Sequence, residues 1–300
     1  MIIHSFSAKN NTRVEKLMSN TNPVVSVIIP TYNQADLLKK SLQSLLDQTF
    51  PDWEAIVIDN NSEDDTKEIV ENLQDHRIIY KTIHNQGIIA ASRNLGIHCA
   101  KGDYIAFLDS DDLWYPSKLS ECLKEMQQGK EIVCHRLWIR KDGILQNKLI
   151  PTPPHQNFYK TLLYKGNSVI ATSAVMMKKQ CFDRCGVFSE DPGMATAEDY
   201  ELWLRLTKSN IRWGFISEVL GEYTVHSKNA SSNVKRQMLA EEKVVMKYFK
   251  ENESPHIDER LSYRKRRVMI VFHAGMRVWQ SGHRRDSIPY FFKGLSKIFC

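Results

Sequence analysis

The first 110 residues of the chain alternate short apolar runs with helical patterns, and this order constrains the fold more than any other feature. Apolar runs at 24–29, 54–58, 78–80 and 104–108 are predicted strands. Between them, apolar residues recur at the spacing of a buried helix face. A β-α-β-α-β-α-β order predicts an α/β fold with a doubly wound, mostly parallel sheet, helices on both faces and right-handed crossovers.

Three of the predicted strands end in clusters of polar residues. In chain order the clusters are Pro30-Thr31-Tyr32-Asn33, Asp59-Asn60-Asn61-Ser62 and Asp109-Ser110-Asp111-Asp112. In open parallel sheets the ligand binds beyond the carboxyl ends of the strands, where the strand order reverses. We therefore expect the three clusters to meet at one rim of the sheet and to form a binding site.

The third cluster holds three carboxylates, Asp109, Asp111 and Asp112, directly after a predicted buried strand. Gathered carboxylates repel one another and lose hydration, so such a group needs a cation or a hydrogen-bonding ligand. Oxygen ligands suit Mg²⁺ or Mn²⁺, which commonly bind together with a phosphate group. A second interpretation stays open, in which the cluster is a solvated loop and its last aspartate caps a helix that begins near Ser117.

Length and composition indicate a globular protein. The chain has 300 residues, of which 42% are apolar and 25% are charged, enough for one large domain or somewhat more. No apolar run approaches the ~20 residues that cross a membrane, and the polar start of the chain lacks the apolar core of a signal peptide. We expect a cytoplasmic protein.

Positive charge is concentrated at the end of the chain. Residues 235–300 contain 15 lysines and arginines against 7 aspartates and glutamates, whereas the net charge of the whole chain is +6. Together with the aromatic residues near the C-terminus, this predicts peripheral contact with an anionic membrane at the inner face of the plasma membrane. A solvated helical face is the alternative. Because no recognition motif is present, nucleic-acid binding is not expected.

The second half of the chain has a less regular pattern. Lys141-Asp142-Gly143 predicts a hairpin turn between strands at 132–139 and 144–150. A further strand is predicted at 169–177, and a helix is expected to begin near Glu198. Helical patterns dominate the remainder of the chain.

A series of motifs extends from about Pro23 to about Ser232. In chain order they are Val25-Ser26-Val27-Ile28-Ile29-Pro30-Thr31-Tyr32-Asn33, Gln48-Thr49-Phe50-Pro51-Asp52-Trp53-Glu54, Asp59-Asn60-Asn61-Ser62, Asn85-Gln86-Gly87, Ala91-Ser92-Arg93-Asn94, Asp109-Ser110-Asp111, Gly186-Val187-Phe188, Ala197-Glu198-Asp199-Tyr200-Glu201-Leu202-Trp203 and His226. The set in this order resembles the inverting nucleotide-sugar glycosyltransferases of family 2. The resemblance implies a GT-A fold, with an N-terminal extension (1–22), a catalytic domain (23–231) and a basic, helical C-terminal region (232–300).

The resemblance also implies a metal-assisted site for a nucleotide sugar at the strand rim. Asp111 would bind Mn²⁺ or Mg²⁺, with Asp109 facing the ribose or reaching the metal through water, and His226 would be a further ligand. Asp59 would accept the N–H of uracil, which favours a UDP donor. The other donor-binding residues implied are Pro30, Thr31, Tyr32, Asn33, Arg93 and Ser110, whereas Asp112 is expected to be structural. For Arg93 a helix-surface ion pair stays open, and for His226 a simple surface position.

On the acceptor side, the resemblance implies that Asp199 is the general base that deprotonates the acceptor hydroxyl. Its alternative interpretation is the N-cap of the following helix, and both can be true because a cap fixes the side chain. Glu198 would contact the acceptor or support its neighbours.

These residues predict a metal-dependent, inverting glycosyltransferase. It would move a sugar from a UDP-sugar to a hydroxyl of a glycan or lipid-linked glycan, in the synthesis of a cell-surface polysaccharide. Two alternatives stay open. A nucleotidyltransferase would also use a nucleotide and a cation, although the loop at 30–33 lacks the glycine and lysine of a phosphate-binding loop. A catalytically silent nucleotide- or sugar-binding module would dock through the basic tail.

Overall fold

The described part of the chain contains nine strands and ten α-helices. The computed structural model describes residues 22–150, 158–166, 170–226, 229 and 232–299, with only the backbone given for 147–150, 295, 298 and 299. The strands are β1 (Val25–Thr31), β2 (Trp53–Asp59), β3 (Ile78–Thr82), β4 (Tyr104–Phe107), β5 (Leu113–Trp114), β6 (Ile132–Lys141), β7 (Ile144–Ile150), β8 (Val175–Lys178) and β9 (Trp213–Val225). The N-terminal extension expected at 1–22 lies, apart from its last residue, outside the described residues.

The helices follow the strands in the first half of the chain and dominate its end. They are α1 (Ala35–Leu46), α2 (Thr66–Asn72), α3 (Ile89–Cys99), α4 (Lys118–Gln127), α5 (Phe158–Lys165), α6 (Gln180–Cys185), α7 (Glu198–Lys208), α8 (Val234–Lys250), α9 (Ile257–Gln280) and α10 (Arg284–Phe299). The four predicted strands of the first half and the expected helix near Glu198 are confirmed.

The first half of the sheet is parallel, in the order β3-β2-β1-β4. All residues of β1 and β2 are buried, because helices cover both faces, as continuous apolar runs predict. The strand continues through Pro30, whose missing N–H costs no ladder bond because the pairing of β1 with β4 ends at Ile28. Strand order reverses between β1 and β4, and this is where a binding site is expected.

The second half of the sheet is mixed and continues from β4 in the order β8-β6-β9-β5, with β7 paired to β6. The predicted hairpin is confirmed, because Asp142 and Gly143 both have positive φ angles, 50° and 78°, as a two-residue turn between β6 and β7 requires. The strand predicted at 169–177 is wrong in its first part. Thr172–Ala174 forms a 3₁₀ turn, β8 begins only at Val175, and residue 169 lies outside the described residues.

The C-terminal helices share their hydrophobic core with the sheet. Val244 and Val245 of α8 and Ile270 of α9 are buried in the same cluster as Ile28 of β1 and Trp203 of α7. Helices α8 and α9 therefore pack as one structural unit with the sheet. The domain boundary near 231 stays a prediction. Among the described helices, none combines the length and the apolar composition needed to cross a membrane.

Candidate active site

The aspartate-rich loop after β4 is held in place through its backbone. The N–H of Asp109 donates to Ser173 Oγ at 3.0 Å. From α1, the hydroxyl of Ser41 contacts the carbonyl oxygens of both Ser110 and Asp112, at 2.9 and 2.6 Å. These contacts fix the loop between two elements, so the directions of its side chains are set before any ligand binds.

Asp112 is a structural residue, as expected. Its side chain is buried, and Oδ1 accepts a hydrogen bond from the N–H of Thr224 in β9 at 2.8 Å. Burial, with the charges of Asp111 and Asp109, raises the pKa of Asp112 well above its usual value. The interpretation that Asp112 caps the next helix is wrong, because α4 begins after Ser117 without a side-chain cap.

Asp111 lies beside His226, as the metal-site prediction requires. Asp111 Oδ2 is 2.9 Å from His226 Nε2 and accepts a hydrogen bond from Asn229 Nδ2 at 2.9 Å. The alternative of a simple surface position for His226 is therefore wrong. Burial and the charge of Asp109 raise the pKa of Asp111 to about 6, although His226 lowers it. A cation at this point would relieve the crowding of negative charge.

Asn229 is a site residue that the sequence reasoning missed. Its Oδ1 accepts the N–H of His226 at 2.5 Å, and its Nδ2 also donates to the carbonyl of Thr224. The amide thus holds His226 and Asp111 together. One asparagine in a polar segment carries no pattern that could have identified it.

The residues present fit a divalent metal. The carboxylate of Asp111 is an oxygen ligand of the kind that suits Mn²⁺ or Mg²⁺, and the imidazole of His226 adds a nitrogen ligand, which Mn²⁺ accepts more readily than Mg²⁺. Within the described ranges, no three His, Cys, Asp or Glu side chains are grouped so that they could hold a metal by themselves. Magnesium-type sites of nucleotide enzymes commonly use one or two protein ligands and take the others from substrate phosphates and water.

Arg93 joins the two halves of the site. Its side chain is 4% exposed, Nη2 donates to Asp109 Oδ1 at 2.9 Å, and Nη1 donates to Glu198 Oε1 at 2.6 Å. The second oxygen of Glu198 accepts the N–H of Thr196 at 2.8 Å. The interpretation of Arg93 as a helix-surface ion pair is wrong, because the guanidinium lies inside the protein between two carboxylates.

Asp199 is the second residue of α7, so the interpretation as its N-cap is wrong. The N-cap is Ala197, and Asp199 Oδ1 accepts the N–H of Tyr200 at 2.6 Å. Burial and the neighbouring charge of Glu198 raise the pKa of Asp199 to about 7, against a lowering by Arg93. A carboxyl group with this pKa can accept a proton near neutral pH, as a general base must.

Asp59 is buried at the end of β2, where neighbouring residues donate hydrogen bonds to its side chain. Its carboxylate accepts hydrogen bonds from Ser62, through N–H at 3.1 Å and Oγ at 2.5 Å, and from the hydroxyl of Tyr80 at 2.6 Å. Asn33, with a φ of 50°, accepts the N–H of Glu63 at 2.8 Å and so connects the first two clusters. Asp59 holds the turn after β2, and its contact with uracil stays a prediction.

A cavity of about 540 Å³ runs from the strand rim to the C-terminal helices. Its rim end is lined by Pro30, Arg93, Asp109, Ser110 and Asp111, and Glu198 and Asp199 follow from α7. Its far end is lined by residues that the sequence did not identify, Lys165, Gln237, Glu241, Arg266, His273 and Arg277. Of the predicted residues, Thr31, Tyr32, Asn33, Asp59 and His226 lie outside this lining.

Comparisons with known proteins agree with this arrangement. The family model described as Glycosyl transferase family 2 matches residues 26–186. The chain is 34% identical over 224 residues to the Escherichia coli UDP-Glc:alpha-D-GlcNAc-diphosphoundecaprenol beta-1,3-glucosyltransferase WfaP, covering 74% of this chain and 85% of the relative. It is 32% identical over 221 residues to the putative teichuronic acid biosynthesis glycosyltransferase TuaG of Bacillus subtilis, covering 72% and 84%.

Two solved structures resemble most of the chain. Residues 1–349 of S. aureus TarS, in complex with UDP-GlcNAc, give a TM-score of 0.60 at 17% identity and cover 89% of each chain. The mannosyltransferase PcManGT of Pyrobaculum calidifontis, in complex with GDP-Man and Mn²⁺, gives 0.60 at 17% identity and covers 97% of this chain and 88% of its own. At such identities the likeness concerns the fold.

Proposed function

The chain belongs to glycosyl transferase family 2 and is a glycosyltransferase, and we propose that it transfers a sugar from UDP to a lipid-linked glycan with inversion at the anomeric carbon. The expected family resemblance is confirmed. The observation that carries the finer proposal is one cavity that contains both Asp111, beside His226, and Asp199, whose pKa is raised to about 7.

The donor belongs at the rim end of the cavity. Asp111 and His226 would hold Mn²⁺ or Mg²⁺, with Asp109 reaching it through water, and the metal would offset the negative charge of the departing diphosphate. A UDP donor is supported by the E. coli relative, which is named for UDP-Glc, and by the carboxylate of Asp59 at the end of β2, which can accept the N–H of uracil.

The acceptor hydroxyl is deprotonated by Asp199. Inversion requires a single base on the face opposite the leaving group, and Asp199 has a pKa suited to that task. Arg93 keeps Asp109 and Glu198 at fixed positions in the wall of the cavity. A lipid-linked glycan acceptor, and a place in cell-surface polysaccharide synthesis, are supported by the names of the two relatives.

A panel of nucleotide sugars tests the donor proposal. Protein with Mn²⁺ is heated in the presence of UDP-, GDP- and dTDP-sugars, and a ligand at 100 times its Kd stabilises the fold by about 2.7 kcal/mol. We expect protection by a UDP-sugar and release of UDP when a GlcNAc-diphosphate lipid is added. Protection by GDP- or dTDP-sugars alone would make the UDP proposal wrong.

Measurements of the released products separate the two competing functions. Pyrophosphate release from a nucleoside triphosphate would favour a nucleotidyltransferase. Tight binding of a UDP-sugar, with neither metal-dependent transfer nor slow hydrolysis of that sugar nucleotide, would favour a silent binding module. Neither alternative has an observation of its own to support it.

Membrane contact of the C-terminal helices is a further part of the proposal. The apolar side chains of Met269, Phe272 and Trp279 on α9 and of Phe292 on α10 are exposed, in a segment rich in lysine and arginine. Exposed apolar groups among positive charges suit an anionic membrane surface. The alternative, a solvated helical face, predicts no binding to vesicles.

Vesicles of phosphatidylglycerol and of phosphatidylcholine test this contact. We expect binding to the anionic vesicles, weakened in Phe272→Ser/Phe292→Ser and retained in Leu239→Ser, which changes an exposed residue of α8. Truncation after Asn233 is unsuitable, because α8 and α9 supply core residues. Equal binding to both lipids, or none, would make the membrane proposal wrong.

A further inference from the structure

The cavity carries opposite charges at its two ends. The carboxylate end consists of Arg93, Asp109, Asp111, Glu198 and Asp199. The basic end consists of Lys165, Glu241, Arg266, His273 and Arg277. Among the described lining residues, the carboxylate end thus has four carboxylates against one cation, and the basic end has three lysine and arginine cations against one carboxylate. A ligand that fills both ends should have a matching distribution of charge.

The basic end is built largely by one face of α9. Arg266, Ile270, His273 and Arg277 follow one another at helical spacing, so they share a face. Ile270 is buried in the core and Arg266 is ion-paired with Glu241, which together fix the helix against the rest of the protein. Toward the C-terminal end of this face, His273 and Arg277 are exposed to solvent and line the cavity.

His273 contributes a hydrogen-bonding group to this end. Although part of its side chain is exposed, partial burial and the charge of Arg266 lower the pKa of His273, so the imidazole is neutral near pH 7. The charge of the basic end therefore comes from Arg277 and from Lys165, which is exposed at the end of α5. Arginine and lysine with a neutral imidazole form a donor set that suits phosphate oxygens.

The basic end adjoins Asp199. Tyr200, the next residue along α7, donates from its hydroxyl to the carbonyl of Leu162 in α5 at 2.8 Å and interacts electrostatically with the side chain of Arg266. The wall on this side of the base is thus made by α5 and α9. Under the proposed function, the donor diphosphate lies at Asp111, and the acceptor is the substrate that must reach Asp199.

We propose that the basic end binds a diphosphate group of the acceptor, the group that links the acceptor sugar to its lipid. This inference rests on the proposed function and deepens it, because it assigns the substrate class of the acceptor to named residues, Lys165, His273 and Arg277. The hydrogen-bond donors of these three side chains suit an anion, and they offer a neutral acceptor substrate no comparable interaction.

Binding of two glycolipids to the same protein tests the inference. The probes are GlcNAc joined through a diphosphate to a decyl chain and the neutral decyl glycoside of GlcNAc, each titrated into protein saturated with UDP and Mn²⁺ and measured by calorimetry. We expect the diphosphate probe to bind at least about tenfold more tightly, since hydrogen bonds between charged groups are worth that much or more. A decyl phosphodiester of the sugar, with one phosphate, should fall between them.

Charge-removing variants locate the effect. In Lys165→Gln/Arg277→Gln, the advantage of the diphosphate probe should disappear, while Kd for UDP stays within about twofold of the wild type. Lys265→Gln removes a positive charge from an exposed position of α9 outside the cavity and should keep the full advantage. Circular dichroism of each variant checks that it is folded.

The outcomes separate the two proposals. Equal binding of the charged and neutral probes to wild-type protein that binds UDP overturns the diphosphate site alone. A loss of UDP affinity in Lys165→Gln/Arg277→Gln overturns it as well, because the basic end would then serve the donor. Absence of UDP binding to the wild-type protein overturns the proposed function itself.

Discussion

The carboxylate end and the basic end of the cavity are built in different ways. In the carboxylate end, Asp109, Asp111 and Glu198 each have defined hydrogen-bond partners, and Arg93 donates to Glu198, which is 105 positions away in the sequence. In the basic end, Lys165, His273 and Arg277 lie at the exposed mouth. One end is therefore preorganised by paired charges, whereas the other presents its side chains to solvent.

Preorganisation has a consequence for substitutions. A change in the carboxylate end should disturb chemistry, metal binding or stability, because its groups are buried or partly buried and depend on one another. A change in the basic end should alter acceptor affinity alone.

Replacement of the proposed base should give the largest effect. Asp199→Asn removes the proton acceptor but keeps the shape of the side chain, so kcat should fall by about 10²–10⁴. Kd for UDP should change by less than about twofold, as measured by calorimetry beside steady-state kinetics. Asp183→Asn, the same change at an exposed position of α6, is the control. A normal kcat in Asp199→Asn would remove this residue from the mechanism.

Arg93→Gln should destabilise the fold by about 3–5 kcal/mol, because it leaves the buried Glu198 and the partly buried Asp109 without their cation. Urea unfolding measures the loss. Lys67→Gln breaks an exposed ion pair with Glu71, whose charged atoms are 3.8 Å apart, and should have little effect. If the two variants are equally stable, Arg93 does not hold the carboxylate end together.

Asn229→Ala should weaken metal binding by about 10–100-fold, because the amide orients both His226 and Asp111. Calorimetric titration of Mn²⁺ into UDP-saturated protein gives the affinity directly. Asn252→Ala, which removes a surface amide paired with Glu259, should leave it unchanged. Equal affinities in the wild type and Asn229→Ala would show that the metal does not depend on this pair.

The pH profile should report the raised pKa of Asp199. A base acts in its ionised form, and burial raises this pKa to about 7, so kcat/KM should fall as pH decreases through about 7. One pH unit below this pKa, kcat/KM should be about tenfold lower than its plateau at high pH. Because the charge of Arg93 lowers this pKa, the midpoint should move upward in Arg93→Gln. A midpoint near the usual value of an aspartate would contradict the assignment.

Much of the fold and of the carboxylate end could be predicted. The β-α alternation, the hairpin at Asp142-Gly143 and the aspartates after β4 depend on neighbouring residues, and the structure has them where the patterns indicated. The start of β8 was missed, because the apolar residues around Thr172 form a 3₁₀ turn. The basic end was also missed, because its charges come from α5 and α9 and form no motif.

The parallel half of the sheet, its polar rim and the order of the family motifs follow from the amino-acid sequence, because periodicity and turn chemistry act between residues close in the chain. The positions of Arg93 between Asp109 and Glu198, of Asn229 against His226 and Asp111, and of one face of α9 along the cavity depend on the tertiary structure. Sequence patterns do not indicate them, because the pairing and the pKa of a buried charge depend on which distant side chains share its poorly hydrated surroundings.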